Sequence, residues 1–275
     1  MNKDIDISNA TENIEYLKDD FITEYIIGKN HRECLYNLFK LHNESINSWT
    51  MICSNLLSIF IIIYIFIKNQ IGNLYDYIFI LHVFAYTIHT PFSVGYHTFN
   101  CINENEFIKW RKYDVYGIFL RNIILTFTLS FFTYNNFKFT LINTSITIII
   151  VYYSLLKFKE NENKNKQLDK LEQSKLIGYT VVSYLFPVLY TIYTSLLNKN
   201  YDLTFKISLI LIFSVIFGGF CYCFRIPEIF FKPGTFNKIG SSHNLMHMFI
   251  IIGVVCETLY IFTISKKGNY IKSFK

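Results

Sequence analysis

Long apolar runs alternate with short polar segments along most of the chain. Seven of these runs approach the ~20 residues that a helix needs to cross a bilayer. To within a few residues they cover 49–67, 77–99, 114–133, 138–157, 175–196, 203–224 and 242–264. This pattern predicts an all-α membrane protein built as a bundle of seven transmembrane helices.

The two ends of the chain are more polar than the rest. Residues 1–48 begin without an apolar run after a basic start, so no cleavable secretory signal is expected. We therefore divide the chain into an amino-terminal segment over 1–48, a seven-helix membrane domain over 49–264 and a short tail over 265–275. The first membrane helix is expected to direct its own insertion.

Composition agrees with an integral, multi-pass membrane protein. Apolar residues make up 52% of the chain, aromatic residues 19% and charged residues only 17%. An ordinary soluble domain carries about 25% charged residues. The net charge of +6 does not point to nucleic-acid binding, because the excess of Lys and Arg flanks the membrane helices, where it would face an anionic leaflet.

Orientation follows from the Lys and Arg residues that flank the predicted helices. The amino-terminal side carries fifteen: Lys29, Arg32, Lys40, Lys109, Arg111, Lys112, Lys157, Lys159, Lys164, Lys166, Lys170, Lys175, Arg225, Lys232 and Lys238. The opposite side carries seven: Lys68, Lys138, Lys199, Lys266, Lys267, Lys272 and Lys275. The excess predicts a cytoplasmic amino terminus and a carboxyl terminus that is outside or lumenal.

Polar residues gather at the ends of three predicted helices. Ser93 and His97 lie near the end of the second span, Asp114 begins the third, and His243 and His247 open the seventh. Residues four apart share one face of a helix. In the predicted topology all five residues lie at one depth, near the inner end of their helices. Ionisable groups inside apolar segments are costly and usually functional.

Three histidines at one depth predict a metal site. Neutral imidazole suits zinc, and three protein ligands with an open fourth position are typical of a catalytic zinc. Asp114 would then orient or deprotonate water, and Ser93 would hold the water or donate to a substrate carbonyl. The alternative is that these are core polar groups that satisfy one another, with Ser93 bonded to an upstream carbonyl of its own helix.

Several segments carry longer motifs around these residues. The stretch between the sixth and seventh predicted helices contains Arg225-Ile-Pro-Glu-Ile-Phe-Phe-Lys-Pro-Gly-Thr-Phe-Asn followed by Ser242-His-Asn-Leu-Met-His. The amino-terminal segment contains Glu24-Tyr-Ile-Ile-Gly and Leu41-His-Asn-Glu-Ser-Ile-Asn-Ser-Trp, and the third predicted helix starts with Asp114-Val-Tyr-Gly-Ile. These motifs resemble those at the same places in the progestin and adiponectin receptor family, which includes hemolysin III-like proteins.

The resemblance extends over residues 24–264 and implies specific roles. His97, His243 and His247 would be the zinc ligands, and Asp114 and Ser93 would lie around the bound water. Two positions depart from the family pattern and bear on ligand selectivity rather than on the fold. Met51 stands where a histidine is common, and Asn244 stands where a glutamine often follows the first histidine of the last pair.

Three functions are consistent with this sequence. The first is zinc-dependent hydrolysis of a lipid amide, for which the family's relation to alkaline ceramidases suggests a ceramide-like substrate. The second is a receptor or lipid sensor in which zinc is structural and membrane lipids or another lipid ligand shift the helix packing. The third, a membrane-permeabilising protein, has the least support, because the polar residues cluster at one depth and do not line a path.

Other polar residues allow weaker interpretations. His82 and His89 on the second helix are expected to pack against neighbouring helices through hydrogen bonds, or else to extend a polar stripe from the metal. Arg225 and Glu228 are expected to pair with each other across the inner loop, and the alternative is contact with lipid phosphates. Reduced thiols are expected for the scattered cysteines, which are Cys34, Cys53, Cys101, Cys221, Cys223 and Cys256.

Overall fold

The computed structural model describes residues 5–6, 15–67, 73–163 and 170–267. The helices in these residues are α1 (His31–Asn37), α2 (Ser45–Ile67), α3 (Leu74–Phe99), α4 (Glu104–Tyr134), α5 (Phe137–Asn163), α6 (Lys170–Leu197), α7 (Leu203–Phe224) and α8 (Ser242–Lys267). The strands β1 (Ile5–Asp6) and β2 (Glu24–Tyr25) pair in antiparallel fashion. Short 3-10 turns cover Glu15–Leu17 and Glu228–Phe230.

The seven helices from α2 to α8 are long and apolar enough to cross a membrane. Many large apolar side chains point away from the protein interior, as Phe60, Ile149 and Ile216 do, being 66%, 66% and 62% exposed. Such surfaces are stable in lipid and costly in water. The predicted all-α, seven-helix membrane protein is therefore confirmed, whereas the orientation of its termini stays a prediction.

Six of the seven membrane helices are longer than the apolar runs that predicted them, whereas α7 has the same bounds as its run. The clearest case is α4, which begins at Glu104, ten residues before the predicted start at 114. The Asn103 side chain accepts a hydrogen bond from the backbone N–H of Glu106 at 2.9 Å and caps the helix there. A capping residue sets where a helix begins, whereas an apolar run marks only the part of the helix that lies in hydrocarbon. The apolar pattern therefore did not predict the charged first turns of α4.

The chain divides into two compact units. The first comprises the described residues within Met1–Asn55, His89–Gly117 and Ile216–Ile251. The second comprises the described residues within Leu56–Ile88, Ile118–Val215 and Ile252–Lys275. The candidate site residues all belong to the first unit, and the predicted segment boundaries after residues 48 and 264 stay a prediction.

Glycines bring α3 and α4 close together in the first unit. A Cβ at Gly95 would lie 2.1 Å from the Trp110 ring, and one at Gly117 would lie 2.9 Å from the His89 ring. Small residues let membrane helices approach closely enough to pack side chain against backbone. This close approach sets the positions of the polar residues on the last turns of α3 and the first turns of α4.

The loop before α8 is held by polar contacts within the first unit. Glu228 accepts hydrogen bonds from the backbone N–H and the hydroxyl of Ser242, both at 2.7 Å, and so caps α8. Arg225 forms an ion pair with Asp19. The expected pairing of Arg225 with Glu228 was therefore wrong, because the amino-terminal segment supplies a carboxylate that the local sequence does not show.

The second unit contains its own buried polar contacts. Glu257 accepts a hydrogen bond from the Tyr86 hydroxyl, and the Arg121 guanidinium lies over the Tyr86 ring, 4.9 Å from its centroid. His82 Nδ1 shares a hydrogen bond of 2.9 Å with Thr128 Oγ1. His82 thus contacts a neighbouring helix, as expected for a packing histidine.

Candidate metal centre

Three imidazoles converge at the ends of α3 and α8. The nitrogen atoms that His97, His243 and His247 can offer to a metal all lie within 4.8 Å of one another. His97 is 2% exposed and His247 is 4% exposed. The predicted histidine cluster therefore exists in the folded chain and could hold a metal ion.

The start of α8 presents two of these imidazoles together. His243 and His247 are one turn apart in its first two turns, and their ring centroids are 5.0 Å apart. Each of the two rings lies 5.0–5.1 Å from the His97 ring. Because the Ser241 hydroxyl also accepts from the Asn244 backbone N–H at 3.3 Å, the first turn of α8 is held in place.

Glu44 is a site residue that the sequence pattern did not predict. Its Oε2 lies 2.8 Å from His97 Nδ1. Burial would raise the pKa of Glu44, but the hydrogen bond and the charge interaction with His97 outweigh burial and hold the pKa at about 2. An ionised carboxylate can only accept, so in a neutral His97 ring the proton lies on Nδ1 and Nε2 is left as the metal-binding atom.

Two asparagines continue the contacts of Glu44. Asn47 donates to Glu44 at 2.8 Å, and Asn100 donates to the other carboxylate oxygen at 3.3 Å. Asn47 in turn accepts a hydrogen bond of 2.8 Å from Asn244. Asn244 therefore ties the start of α8 to the carboxylate that orients His97, which gives this departure from the family pattern a structural role.

Asp114 lies beside the histidine cluster and accepts hydrogen bonds from residues of α3. His89 Nε2 lies 2.9 Å from Asp114 Oδ1, and the Ser93 hydroxyl also hydrogen-bonds to the carboxylate. His97 is close enough to Asp114 for a charge interaction. The structure thus brings Ser93 and Asp114 close to the histidine cluster. His89 contacts the neighbouring helix α4, as expected for a packing histidine, and its partner there is the site residue Asp114.

Two signals in the sequence could have found the missed residues. Glu44 directly precedes α2 and lies in the motif over residues 41–49 that resembles a family motif. His89 lies four residues before Ser93, on the same face of α3. Neither signal names a partner, because the partners come from distant parts of the chain.

The residues present fit a zinc-type ion. Three imidazoles provide the borderline-soft nitrogen ligands that zinc accepts, and they leave one coordination position open. His247 Nδ1 is buried and has no hydrogen-bond partner among the described residues. A buried polar atom without a partner is costly, so a metal in the cluster is consistent with this arrangement.

The chain is similar to known membrane proteins over most of its length. A family model described as haemolysin-III related matches residues 39–258. Progestin and adipoQ receptor family member 3 of Homo sapiens is 25% identical over 256 residues, which cover 86% of this chain and 78% of the human protein. Membrane progestin receptor gamma-A of Danio rerio is 23% identical over 253 residues, which cover 81% of this chain and 71% of the Danio rerio protein. Heptahelical transmembrane protein 1 of Arabidopsis thaliana is 22% identical over 261 residues, which cover 88% of this chain and 76% of the Arabidopsis thaliana protein.

Proposed function

Because the chain belongs to the haemolysin-III related family, which includes the progestin and adipoQ receptor proteins, we propose that it is a zinc-dependent membrane enzyme that hydrolyses the amide of a ceramide-like lipid. One observation carries this proposal. Three imidazoles that can share a metal lie beside a carboxylate, Asp114, which is bonded by His89 and Ser93. A general base next to an open metal position is what metal-assisted hydrolysis requires.

The zinc ligands in this proposal are His97, His243 and His247. When bound, zinc supplies Lewis-acid activation of water and of a carbonyl group. Glu44 fixes the tautomer and the orientation of the His97 ring through its 2.8 Å hydrogen bond. This carboxylate–histidine contact makes Nε2 of His97 the stronger ligand.

Asp114 is the general base of the proposed reaction. It accepts a proton from the attacking water and later delivers it to the nitrogen of the leaving amine, so the amide and water become a carboxylic acid and an amine. His89 donates to one oxygen of Asp114 and holds the carboxylate in place. In this proposal Ser93, whose hydroxyl bonds to Asp114, turns to donate to the substrate carbonyl.

A lipid is the substrate class that the surroundings of the site support. The five predicted site residues belong to α3, α4 and α8, which are long and apolar enough to cross a membrane. A substrate that reaches them from the bilayer needs an apolar body and a polar group near one end. A ceramide has this form, with an amide close to its headgroup.

Metal content and lipid hydrolysis together test the proposal. We expect about one zinc per purified chain, and fatty-acid release from at least one member of a ceramide panel. His247→Ala should lower zinc content, thermal stability and fatty-acid release, because metal binding contributes to folding. His31→Ala is the matched control, since His31 is half-exposed and belongs to α1. Full zinc content in a His97, His243 and His247 triple alanine variant would refute the site.

A receptor is the second candidate function. It is favoured by the name of one relative, the membrane progestin receptor of Danio rerio. In this case zinc would join α3 to α8, and a lipid ligand would shift the equilibrium between two helix arrangements. Saturable lipid binding that depends on zinc, with no fatty-acid release from any ceramide, would favour the receptor over the enzyme.

A further inference from the structure

Two cysteines far apart in the chain meet in the first unit. Cys34 belongs to α1 and Cys101 follows α3, and their Sγ atoms are 3.5 Å apart. Neither lies in a membrane-spanning helix, and they are 1% and 3% exposed. A disulfide bond is about 2.05 Å long, so a closure of roughly 1.5 Å would join the two sulfur atoms.

The backbone at Gly28 lies close to both cysteines. Gly28 donates its N–H to the carbonyl of Cys101 at 3.3 Å. A Cβ at Gly28 would lie 2.2 Å from Cys34 Sγ, so the absence of a side chain at this position leaves room for the sulfur. Three separate segments, containing residues 28, 34 and 101, therefore hold the two thiols in contact.

The two thiols differ in acidity. The hydrogen bond shared with Cys101 lowers the pKa of Cys34, whereas the hydrogen bond shared with Cys34 and burial both raise the pKa of Cys101. Because a thiolate is the nucleophile in thiol oxidation, Cys34 is the sulfur that reacts first and Cys101 is the sulfur that resolves. A reactive cysteine beside a resolving one is the arrangement found in redox-responsive pairs.

We propose that Cys34 and Cys101 form a two-electron redox site that a hydroperoxide oxidises to an intramolecular disulfide. The Cys34 thiolate attacks one oxygen of the hydroperoxide, the O–O bond breaks, and a sulfenic acid forms with release of water or an alcohol. Cys101 then attacks the Cys34 sulfur, the S–O bond breaks, and a second oxygen leaves as water. Burial limits the site to small oxidants, and a dithiol reverses the reaction by thiol–disulfide exchange.

Oxidation would change how the amino-terminal segment is attached. The bond would join α1 to the segment after α3, where Asn100 donates to Glu44. It would close a loop across 67 positions of sequence, and cross-links over long loops stabilise by restricting the unfolded chain. The redox site does not depend on the proposed lipid hydrolysis.

Peptide mapping of the full purified chain tests this inference. The protein is reduced, freed of reductant, treated with hydrogen peroxide, alkylated with N-ethylmaleimide and digested. We expect a linked peptide that contains Cys34 and Cys101, lighter by two hydrogens than the two thiol peptides together and lost after treatment with dithiothreitol. The oxidised protein should unfold several degrees above the reduced protein.

Matched variants separate the pair from the other thiols. Cys34→Ser and Cys101→Ser should each abolish the linked peptide and the thermal shift, whereas Cys53→Ser and Cys223→Ser, which change exposed cysteines, should preserve both. If Cys34→Ser does not fold, Cys34→Ala takes its place, and the wild-type peptide map decides by itself. Separate alkylation of Cys34 and Cys101 after peroxide, or links only between different chains, would overturn the proposal.

Discussion

Asp114 is the single residue on which the proposed hydrolysis most depends. The three imidazoles do not include it, so its replacement should leave the metal in place. We expect Asp114→Asn to retain zinc and the fold but to lose about 10²- to 10⁴-fold in the rate of amide hydrolysis, the usual effect of removing a general base. Fatty-acid release from ceramide by the zinc-loaded variant measures this rate. Equal rates for variant and wild type would remove Asp114 from the mechanism.

Glu44 acts in the proposed reaction through its contact with His97 and not on the substrate. Glu44→Gln keeps the size of the side chain and removes the charge that holds His97 Nδ1–H. Loss of such a contact typically weakens metal affinity about 10- to 100-fold, which competition with a chelator of known affinity would measure. Glu24→Gln, at an exposed carboxylate, is the control, and an unchanged zinc affinity in Glu44→Gln would show that the contact does not support the metal.

At the scale of helices, the close approach of α3 and α4 depends on Gly95. A methyl group there would lie 2.1 Å from the Trp110 ring, so the ring must move for Gly95→Ala to fold. Overpacking of this kind costs about 1–3 kcal/mol, and we expect a lower thermal midpoint and less bound zinc. Both effects would follow from the disturbed packing at Gly95, because His97 lies only half a turn further along α3.

A second glycine provides the matched control for this prediction. Nothing lies within 4 Å of a Cβ placed at Gly219 on α7. Gly219→Ala should therefore keep or slightly raise thermal stability, since alanine is the better helix former. If Gly95→Ala were as stable as Gly219→Ala, the packing of α3 against Trp110 would not set the geometry of the site.

The orientation of the chain in the membrane depends on the charged residues that flank its helices. The fifteen Lys and Arg residues on the amino-terminal side, against seven on the other, predict an amino terminus in the cytoplasm and a carboxyl terminus outside or in a lumen. If the host is the plasma membrane, only an amino-terminal tag should be protected in intact cells and become accessible after permeabilisation. Two tags on the same side would contradict seven crossings.

The apolar pattern alone was enough to predict seven membrane helices. Backbone groups in hydrocarbon must bond within their own segment, so each long apolar run has one stable structure whatever its neighbours are. The four-residue spacing of His243 and His247 likewise placed two imidazoles on one helix face. The prediction that Ser93, His97 and Asp114 lie at one depth in the membrane followed from the order of the helices alone. The structure brings these three residues to the same site.

The partners of these residues depended on the folded chain. Glu44 reaches His97 from 53 positions away, Arg225 pairs with Asp19 across 206 positions, and Cys34 meets Cys101 although their spacing matches no redox motif. Local sequence determines which face of a helix a residue occupies, but not which helix or segment packs against that face. That choice is made by close packing, such as the approach of Gly95 to Trp110, and by the need to satisfy buried polar groups.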